Sequence, residues 1–127
     1  KMDALLKRDC WNRAVVFDSE GALISSTFEA KPAELKEFCS AFEDRDRTVG
    51  AGFDFGGEHY DVHRFYDEEG LIYGRRGDAD TGEGIALCRT KAASKTVYTL
   101  VTYALPTLSA LAVSELQKFS KEHLVAL

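Results

Sequence analysis

The histidines and cysteines of this chain are the first side chains to consider as ligands of a transition-metal ion. His59 and His63 are four residues apart, a spacing that would chelate one ion on a helix. In the strand that we predict below, the same spacing spans about 13 Å, which is too far for a single ion. The cysteines Cys10, Cys39 and Cys88 are three in number and lack the close pairing of a zinc site. We therefore predict no metal site and no disulfide.

A nucleophilic catalytic site would need a cysteine or serine together with a base and an orienting group. Cys88, His63 and Asp61 supply these types, but no spacing brings them together, and Cys88 lies in a strand pattern typical of a core position. The acidic loop DADTGEG at residues 78–84 resembles a calcium loop, yet its glycine comes fifth and Arg89 stands where a glutamate is required. We interpret it as a solvated turn. The chain is predicted not to be an enzyme and to use no cofactor.

Length and composition are typical of one soluble domain. The 127 residues can bury a single core, and 45% hydrophobic with 29% charged residues is ordinary for a globular protein. No stretch approaches the ~18 apolar residues of a membrane span, and a net charge of −5 argues against general nucleic-acid binding. With no signal segment and an odd number of cysteines, we expect a reducing intracellular compartment. Because the chain begins with Lys1 rather than Met, we expect further residues upstream.

The pattern of apolar residues predicts an α+β domain. Its 3.6-residue spacing predicts helices at residues 2–7, 32–42 and from 108 to about 124. Alternating patterns and turn residues predict seven strands, at 14–17, 22–27, 53–55, 58–66, 71–75, 84–91 and 96–103. The charged run 43–47 is interpreted as an exposed exit from the second helix. Consecutive strands joined by tight turns favour an antiparallel sheet.

The centre of the chain, GGEHYDVHRFYDEEGLIYGRRG at residues 56–77, carries large side chains on both faces of a predicted strand. Simple alternation places Tyr60, Val62, Arg64 and Tyr66 on one face and His59, Asp61, His63 and Phe65 on the other. Further arginines follow on the next strands. Arginine interleaved with aromatic residues is typical of protein interfaces, and ordinary exposed charge is the alternative. We expect one face of the strand to cover a helix and the other to contact a partner.

Periodicity alone leaves three architectures open: the profilin fold, PAS-type sensor domains and longin-type trafficking domains. The central stretch resembles the profilin pattern, in which a Gly-Gly turn, a Tyr-x-Val strand and an Ile-x-Gly-basic-basic-Gly strand follow in order. The likeness extends to the first hairpin, the helix at 32–42, and Tyr103-x-x-Pro106 before the last helix, although residues 105–111 need a small insertion. The resemblance implies one profilin-like domain over residues 1–127, with a sheet of about seven strands, the N- and C-terminal helices on one face and a further helix on the other.

Profilins bind monomeric actin, so the resemblance implies that this chain binds an actin monomer 1:1 and regulates actin polymerisation. The family's actin face lies on the late strands and the outer side of the last helix. Transferred to this sequence, it comprises His59, Asp61, Val62, Arg64, Arg75, Arg76 and Arg89 on strands and Ala110, Ser114, Gln117 and Lys118 on the helix. The resemblance also implies a cytoplasmic monomer associated with the cytoskeleton. The alternative is a longin- or PAS-like interaction or sensor module; the sensor form would need an internal apolar cavity.

Two further ligand classes follow from the resemblance. Proline-rich ligands bind the family in an aromatic groove, and the matching positions here are Trp11, Ile24, His123, Leu124 and Leu127. We expect a weakened or altered groove, because the first helix has no aromatic residue and Ile24 stands where the family has tryptophan. Trp11 is expected to be a packing residue. Arg75 and Arg76 would bind phosphoinositide lipids weakly, because each basic residue contributes only about 1 kcal/mol at an anionic membrane.

Overall fold

The structure is a computed structural model that describes residues 2–78 and 81–127. The acidic loop interpreted above as a solvated turn lies partly outside these residues. The helices of the described chain are α1 (Met2–Leu6), α2 (Pro32–Phe38), α3 (Arg45–Ala51) and α4 (Ser109–His123). The strands are β1 (Arg13–Asp18), β2 (Leu23–Ser26), β3 (Phe53–Phe55), β4 (Glu58–Tyr66), β5 (Leu71–Arg76), β6 (Glu83–Lys91) and β7 (Thr96–Tyr103). None of these helices has both the length and the apolar character to cross a membrane.

The strands form one antiparallel sheet in the order β2-β1-β7-β6-β5-β4-β3. Strands β3 to β7 follow one another as a meander, and β7 pairs with β1 to join the first hairpin. The β3–β4 hairpin turns on Gly56 and Gly57, whose φ angles of 61° and 80° are those that a two-residue turn favours and that glycine adopts without strain. The predicted seven-stranded sheet and the α+β class are therefore confirmed.

Each face of the sheet buries an apolar core beneath helices. On the α4 face, α1 and α4 pack on the sheet through fully buried side chains such as Leu6, Leu116 and Phe119. On the opposite face, here called the α2 face, Leu35 and Phe38 of α2 join the second core. Because strand side chains alternate, the central strands contribute to both cores at once. The predicted placement of the terminal helices on one face and a further helix on the other is confirmed.

The segment after α2 differs from its sequence-based interpretation. The second helix ends at Phe38 rather than at residue 42, and the charged run 43–47 leads into α3 instead of an exposed exit. Asp44 is the N-cap, since its side chain accepts a hydrogen bond of 3.1 Å from the backbone N–H of Arg47. Thr48 is buried, and its hydroxyl donates to the carbonyl of Ala41 at 2.6 Å. A helix with one buried polar residue has no apolar periodicity to detect.

Candidate protein-binding surface

A β-bulge at His63 determines which side chains of β4 reach the surface. The register passes from Val62 opposite Gly74 to Arg64 opposite Tyr73, so His63 is the extra residue. Val62 is only 6% exposed and belongs to the core on the α2 face, whereas Arg64 is exposed beside Tyr73 on the α4 face. The expectation that Val62 shares an exposed face with Arg64 is wrong, because simple alternation takes no account of the inserted residue.

Two arginines border a surface depression of about 240 Å³ next to the first turn of α4. The depression is lined by His63, Arg64, Tyr73, Gly74, Arg75 and Ser109. Within the described residues, Arg64 donates only to the carbonyl of its neighbour His63, at 3.0 Å, and the buried Nε of Arg75 has no hydrogen-bond partner. Neither the Arg64 nor the Arg75 guanidinium forms an ion pair with any of the described residues. Both are therefore available to acidic groups of a partner.

Two tyrosines extend this basic depression. The rings of Tyr66 and Tyr73 are 6.2 Å apart between centroids, and Tyr66 is 40% exposed. Burial raises the pKa of the Tyr73 hydroxyl and the neighbouring Tyr66 raises it further, while Arg64 acts in the opposite sense. The Tyr73 phenol is therefore a neutral hydrogen-bonding group at physiological pH. Arginine beside partly exposed tyrosine is the combination that carries binding energy at many protein interfaces.

The other end of β4 contributes alternating histidine and aspartate to the surface. His59 and Asp61 are exposed, and Asp61 lies opposite Arg75 in the strand register. The Nδ1 of His59 is 2.8 Å from the Oδ1 of Asp54, and its Nε2 is 3.8 Å from the Oδ1 of Asp61. Four of the strand residues predicted to contact actin, His59, Asp61, Arg64 and Arg75, thus lie along one sheet surface.

The predicted helix positions lie on the outer side of α4. Ala110, Ser114 and Lys118 are exposed and Gln117 is half-buried, because the inward positions of the helix are filled by core residues. Ser114, Gln117 and Lys118 line a second concavity of about 390 Å³. The sheet surface and this side of the helix are each open and predominantly polar.

Arg76 does not lie on this face. Its guanidinium is 3.5 Å from the Oε1 of Glu83 and 5.7 Å from the ring of Tyr60, in a network on the α2 face. Arg13 donates to the same Glu83 oxygen at 3.0 Å and to the Tyr60 hydroxyl at 3.1 Å, and Tyr60 donates to Glu83. Asn12 donates to the other carboxylate oxygen at 3.2 Å. The expected Arg75–Arg76 basic patch is therefore wrong, since consecutive strand residues point to opposite faces.

Burial and the neighbouring groups have opposing effects on the pKa of the Glu83 carboxylate. Burial alone would raise the pKa of Glu83, but hydrogen bonds from Tyr60 and Asn12, with the charges of Arg13 and Arg76, hold it below its ordinary value. Burial also raises the pKa of the Tyr60 hydroxyl, and its hydrogen bond to Glu83 raises it further. Glu83 is thus ionised at neutral pH and joins β1, β4, β5 and β6. No local pattern indicates this network, because its members are far apart along the chain.

Arg89 is also engaged within the protein. Its guanidinium lies 4.4 Å from the ring centroid of Phe42 and donates to the carbonyl of Asp67 at 3.0 Å. The Oδ1 of the Asp67 carboxylate is 3.6 Å from the Nη2 of Arg89. These contacts place the guanidinium on the α2 face, so among the four predicted arginines only Arg64 and Arg75 share the surface on the α4 face.

The residues at the predicted proline-rich site are mostly part of the core. Trp11 is 5% exposed, its indole N–H donates to the carbonyl of Leu6 at 2.7 Å, and its ring meets the edge of Phe119. Leu124 is fully buried. Ile24 and Leu127 are half-buried against the same core, and His123 lies 5.1 Å from the Phe119 ring. The burial of Trp11 is what its interpretation as a packing residue predicts.

The fold agrees with one protein family. The family model of profilin matches residues 2–120, which is most of the chain. The chain therefore belongs to the profilin family, a family of non-enzymatic actin-binding proteins. The resemblance found in the sequence is confirmed, and the PAS- and longin-type alternatives are set aside. No curated protein sequence matches the chain.

Solved profilin structures share the fold at low sequence identity. Profilin Ib of Acanthamoeba castellanii superimposes with a TM-score of 0.73 at 22% identity, covering 91% of this chain and 86% of that one. The profilin of Schizosaccharomyces pombe gives 0.67 at 22%, covering 88% and 86%. Mouse profilin IIa, solved in complex with a double repeat from the FH1 domain of mDia1, gives 0.71 at 16%, covering 94% and 91%.

Proposed function

We propose that this protein binds one actin monomer through the face formed by β4, β5 and the outer side of α4, and that it regulates actin polymerisation in the cytoplasm. The observation that supports this most directly is the pair Arg64 and Arg75. They border one depression and have no acidic partner among the described residues. A fold that leaves two adjacent cations uncompensated favours a partner that supplies the anions.

Each group on the face has a role that follows from its chemistry. The planar guanidinium groups of Arg64 and Arg75 can pair in a forked geometry with carboxylates of actin. Tyr66 and Tyr73 supply rigid rings that bury apolar area, and His59 and Asp61 supply hydrogen-bonding groups at the rim. Ala110, Ser114, Gln117 and Lys118 extend the contact along α4. A monomer covered in this way is withheld from spontaneous nucleation.

The proposal is tested by titrating fluorescently labelled, ATP-loaded monomeric actin with this protein, with spontaneous actin polymerisation followed in parallel. We expect 1:1 binding in the micromolar range or tighter and a longer nucleation lag. Unchanged polymerisation and no binding at high micromolar concentration would show that this family member has another role.

The residue assignment is tested by reversing the charge of Arg64. Because Arg64 is exposed and, among the described residues, bonds only a backbone carbonyl, Arg64→Glu leaves the fold intact and abolishes measurable actin binding. Arg45→Glu is the matched control, since the Arg45 side chain is 63% exposed at the start of α3. If both variants bind actin as the parent does, the transferred face is incorrect.

We infer that any proline-rich site is weakened or altered. The two most buried predicted positions, Trp11 and Leu124, lie within the core, so a ligand there would be limited to His123, Ile24 and Leu127. Phosphoinositide binding would rest on Arg64 and Arg75 rather than on Arg75 and Arg76. A pair of arginines gives weak attachment, and a lipid held there would compete with actin.

A further inference from the structure

Tyr103, the last residue of β7, is buried in the core on the α4 face. Its side chain is only 1% exposed, and its hydroxyl donates a hydrogen bond of 2.9 Å to the Oγ of Ser109. A buried hydroxyl lowers stability unless it is bonded, and phenylalanine would fill the same space without that requirement. Packing alone therefore does not require a tyrosine at this position, and the hydroxyl points to a further role.

The ring of Tyr103 lies over a glycine of the neighbouring strand. Gly84 pairs with Tyr103 in the β6–β7 register, and a Cβ added at Gly84 would lie 2.3 Å from Cε2 and 2.4 Å from Cζ of the ring. Non-bonded carbon atoms do not approach one another this closely, so a side chain at Gly84 would displace the ring. The absence of a side chain at Gly84 thus makes room for the end of the ring that carries the hydroxyl.

Arg75 is the next residue of the same row. It pairs with Gly84 in the β5–β6 register, so Arg75, Gly84 and Tyr103 lie side by side on three strands, with the glycine in the middle. Arg75 lines the depression together with Ser109, on the face where Tyr103 is buried. Burial raises the pKa of the Tyr103 hydroxyl most, whereas its hydrogen bond with Ser109 and the charge of Arg75 lower it. The guanidinium and the phenol are therefore close enough to interact electrostatically.

Neighbouring side chains must supply the orientation of Arg75. Its Nε is buried and has no hydrogen-bond partner among the described residues, and its guanidinium has no ion pair there. A long side chain with several rotatable bonds is then fixed only by the groups that pack around it. Across the gap left by Gly84, the neighbour in this row is the Tyr103 ring.

We propose that Tyr103 is a positioning residue for the proposed actin contact. Its ring beside Gly84 and its hydroxyl bond to Ser109 hold Arg75 in the orientation that pairs with a carboxylate of actin. This inference rests on the proposed function. Tyr103 is buried and does not itself contact the partner. A side chain that is already oriented loses less conformational freedom on binding, so Tyr103 raises the affinity through Arg75.

The experiment is a double-mutant cycle in the actin titration, with Tyr103→Phe, Arg75→Gln and the double variant compared with the parent. Tyr103→Phe deletes the hydroxyl and keeps the ring in the core. It is expected to weaken actin binding about fivefold, with no further weakening when it is added to Arg75→Gln. Such coupling identifies a residue that acts through Arg75, because the effects of independent residues would multiply.

Tyr98→Phe is the matched control, because Tyr98 lies on the same strand but in the core on the α2 face. Tyr98 is 6% exposed, and its hydroxyl donates to the carbonyl of Cys39 at 3.2 Å. Both tyrosine variants lose one hydrogen bond and are expected to lower Tm by similar amounts, whereas only Tyr103→Phe weakens actin binding. Solvent exchange of the Arg75 Hε proton, followed by NMR without actin, is expected to be faster in Tyr103→Phe than in the parent or Tyr98→Phe.

The possible outcomes separate the positioning role from the proposed function. If the parent binds actin while Tyr103→Phe and Arg75→Gln weaken binding independently, or Tyr103→Phe binds as the parent does, the positioning role is wrong and the proposed function stands. A parent protein that binds no actin would overturn both. Unchanged Hε exchange in Tyr103→Phe would overturn the orientation of Arg75 by Tyr103 whatever the actin result.

Discussion

Arg75 and Arg76 are consecutive residues of β5, yet their guanidinium groups lie on opposite faces of the sheet. Arg75 borders the depression beside Ser109, and its buried Nε lacks a hydrogen-bond partner among the described residues. Arg76 contacts Glu83 and Tyr60 in the network on the α2 face. Two adjacent and chemically identical side chains thus have different proposed functions, with Arg75 on the proposed binding surface and Arg76 in the framework.

Charge reversal separates these two functions. Arg75→Glu is expected to weaken actin binding at least tenfold with little change in stability, because its head group has no ion-pair partner in the described chain to lose. Arg76→Glu places a second carboxylate beside Glu83 and is expected to lower the free energy of unfolding by about 1–3 kcal/mol. The measurements are urea unfolding and the actin titration of each variant.

The more conservative Arg75→Gln and Arg76→Gln serve as controls, since they remove charge without introducing repulsion. Arg75→Gln is expected to weaken actin binding and Arg76→Gln to lower stability, each by less than the corresponding charge reversal. Equal destabilisation by both charge reversals would contradict the assignment of the two side chains to different faces.

The Glu83 network makes part of the stability depend on pH. Because the pKa of Glu83 is lower in the folded protein than its ordinary value near 4.5, ionisation of Glu83 stabilises the fold above that value. This contribution is lost as the pH falls through the lowered folded pKa, when Glu83 becomes protonated. Glu83→Gln is expected to be less stable than the parent at about pH 7 and to lose less stability between about pH 4.5 and more acidic conditions.

Urea midpoints of the parent and of Glu83→Gln across that pH range measure the difference. Glu122→Gln is the control, because the Glu122 side chain is exposed at the end of α4. If the stability of Glu83→Gln falls with acid as steeply as that of the parent, Glu83 is not the group responsible.

Local pattern was sufficient to predict most of the fold. Strand alternation, the Gly56-Gly57 turn and the helical spacing before Phe119 each reflect short-range rules that a sequence displays directly. The helix α3 was missed, because its stability comes from the Asp44 cap and one buried threonine rather than from an apolar stripe.

The binding surface was predicted less well, because its geometry depends on pairing between strands. The bulge at His63 reverses the facing of every later residue of β4, and a single sequence does not display register. Arg76 and Arg89 contact residues of other elements, so the contacts of these two arginines could not be inferred from the sequence.

The bulge itself leads to a prediction for two residues of β4 that are close in sequence. Val62→Ala removes buried methyl groups from the core and is expected to lower the free energy of unfolding by about 2 kcal/mol, with actin affinity unchanged in the folded fraction. Arg64→Ala is expected to do the reverse, with little effect on stability and a clear loss of affinity. Thermal unfolding and actin titration of both variants measure this; a stable Val62→Ala variant with impaired binding would place Val62 on the interface.

Trp11 is the only tryptophan of the chain and reports on the predicted proline-rich site. Its indole is buried against Phe119, with the Arg8 guanidinium 6.0 Å from the ring and held by an ion pair to Glu115 at 3.2 Å. A proline oligomer is therefore expected to leave the intrinsic tryptophan emission unchanged. Trp11→Phe removes the hydrogen bond to Leu6 and is expected to cost about 1–3 kcal/mol of stability. A saturable change in emission on titration with a proline decamer, absent with a glycine-serine peptide of equal length, would show instead that the ligand displaces Arg8 and reaches the indole.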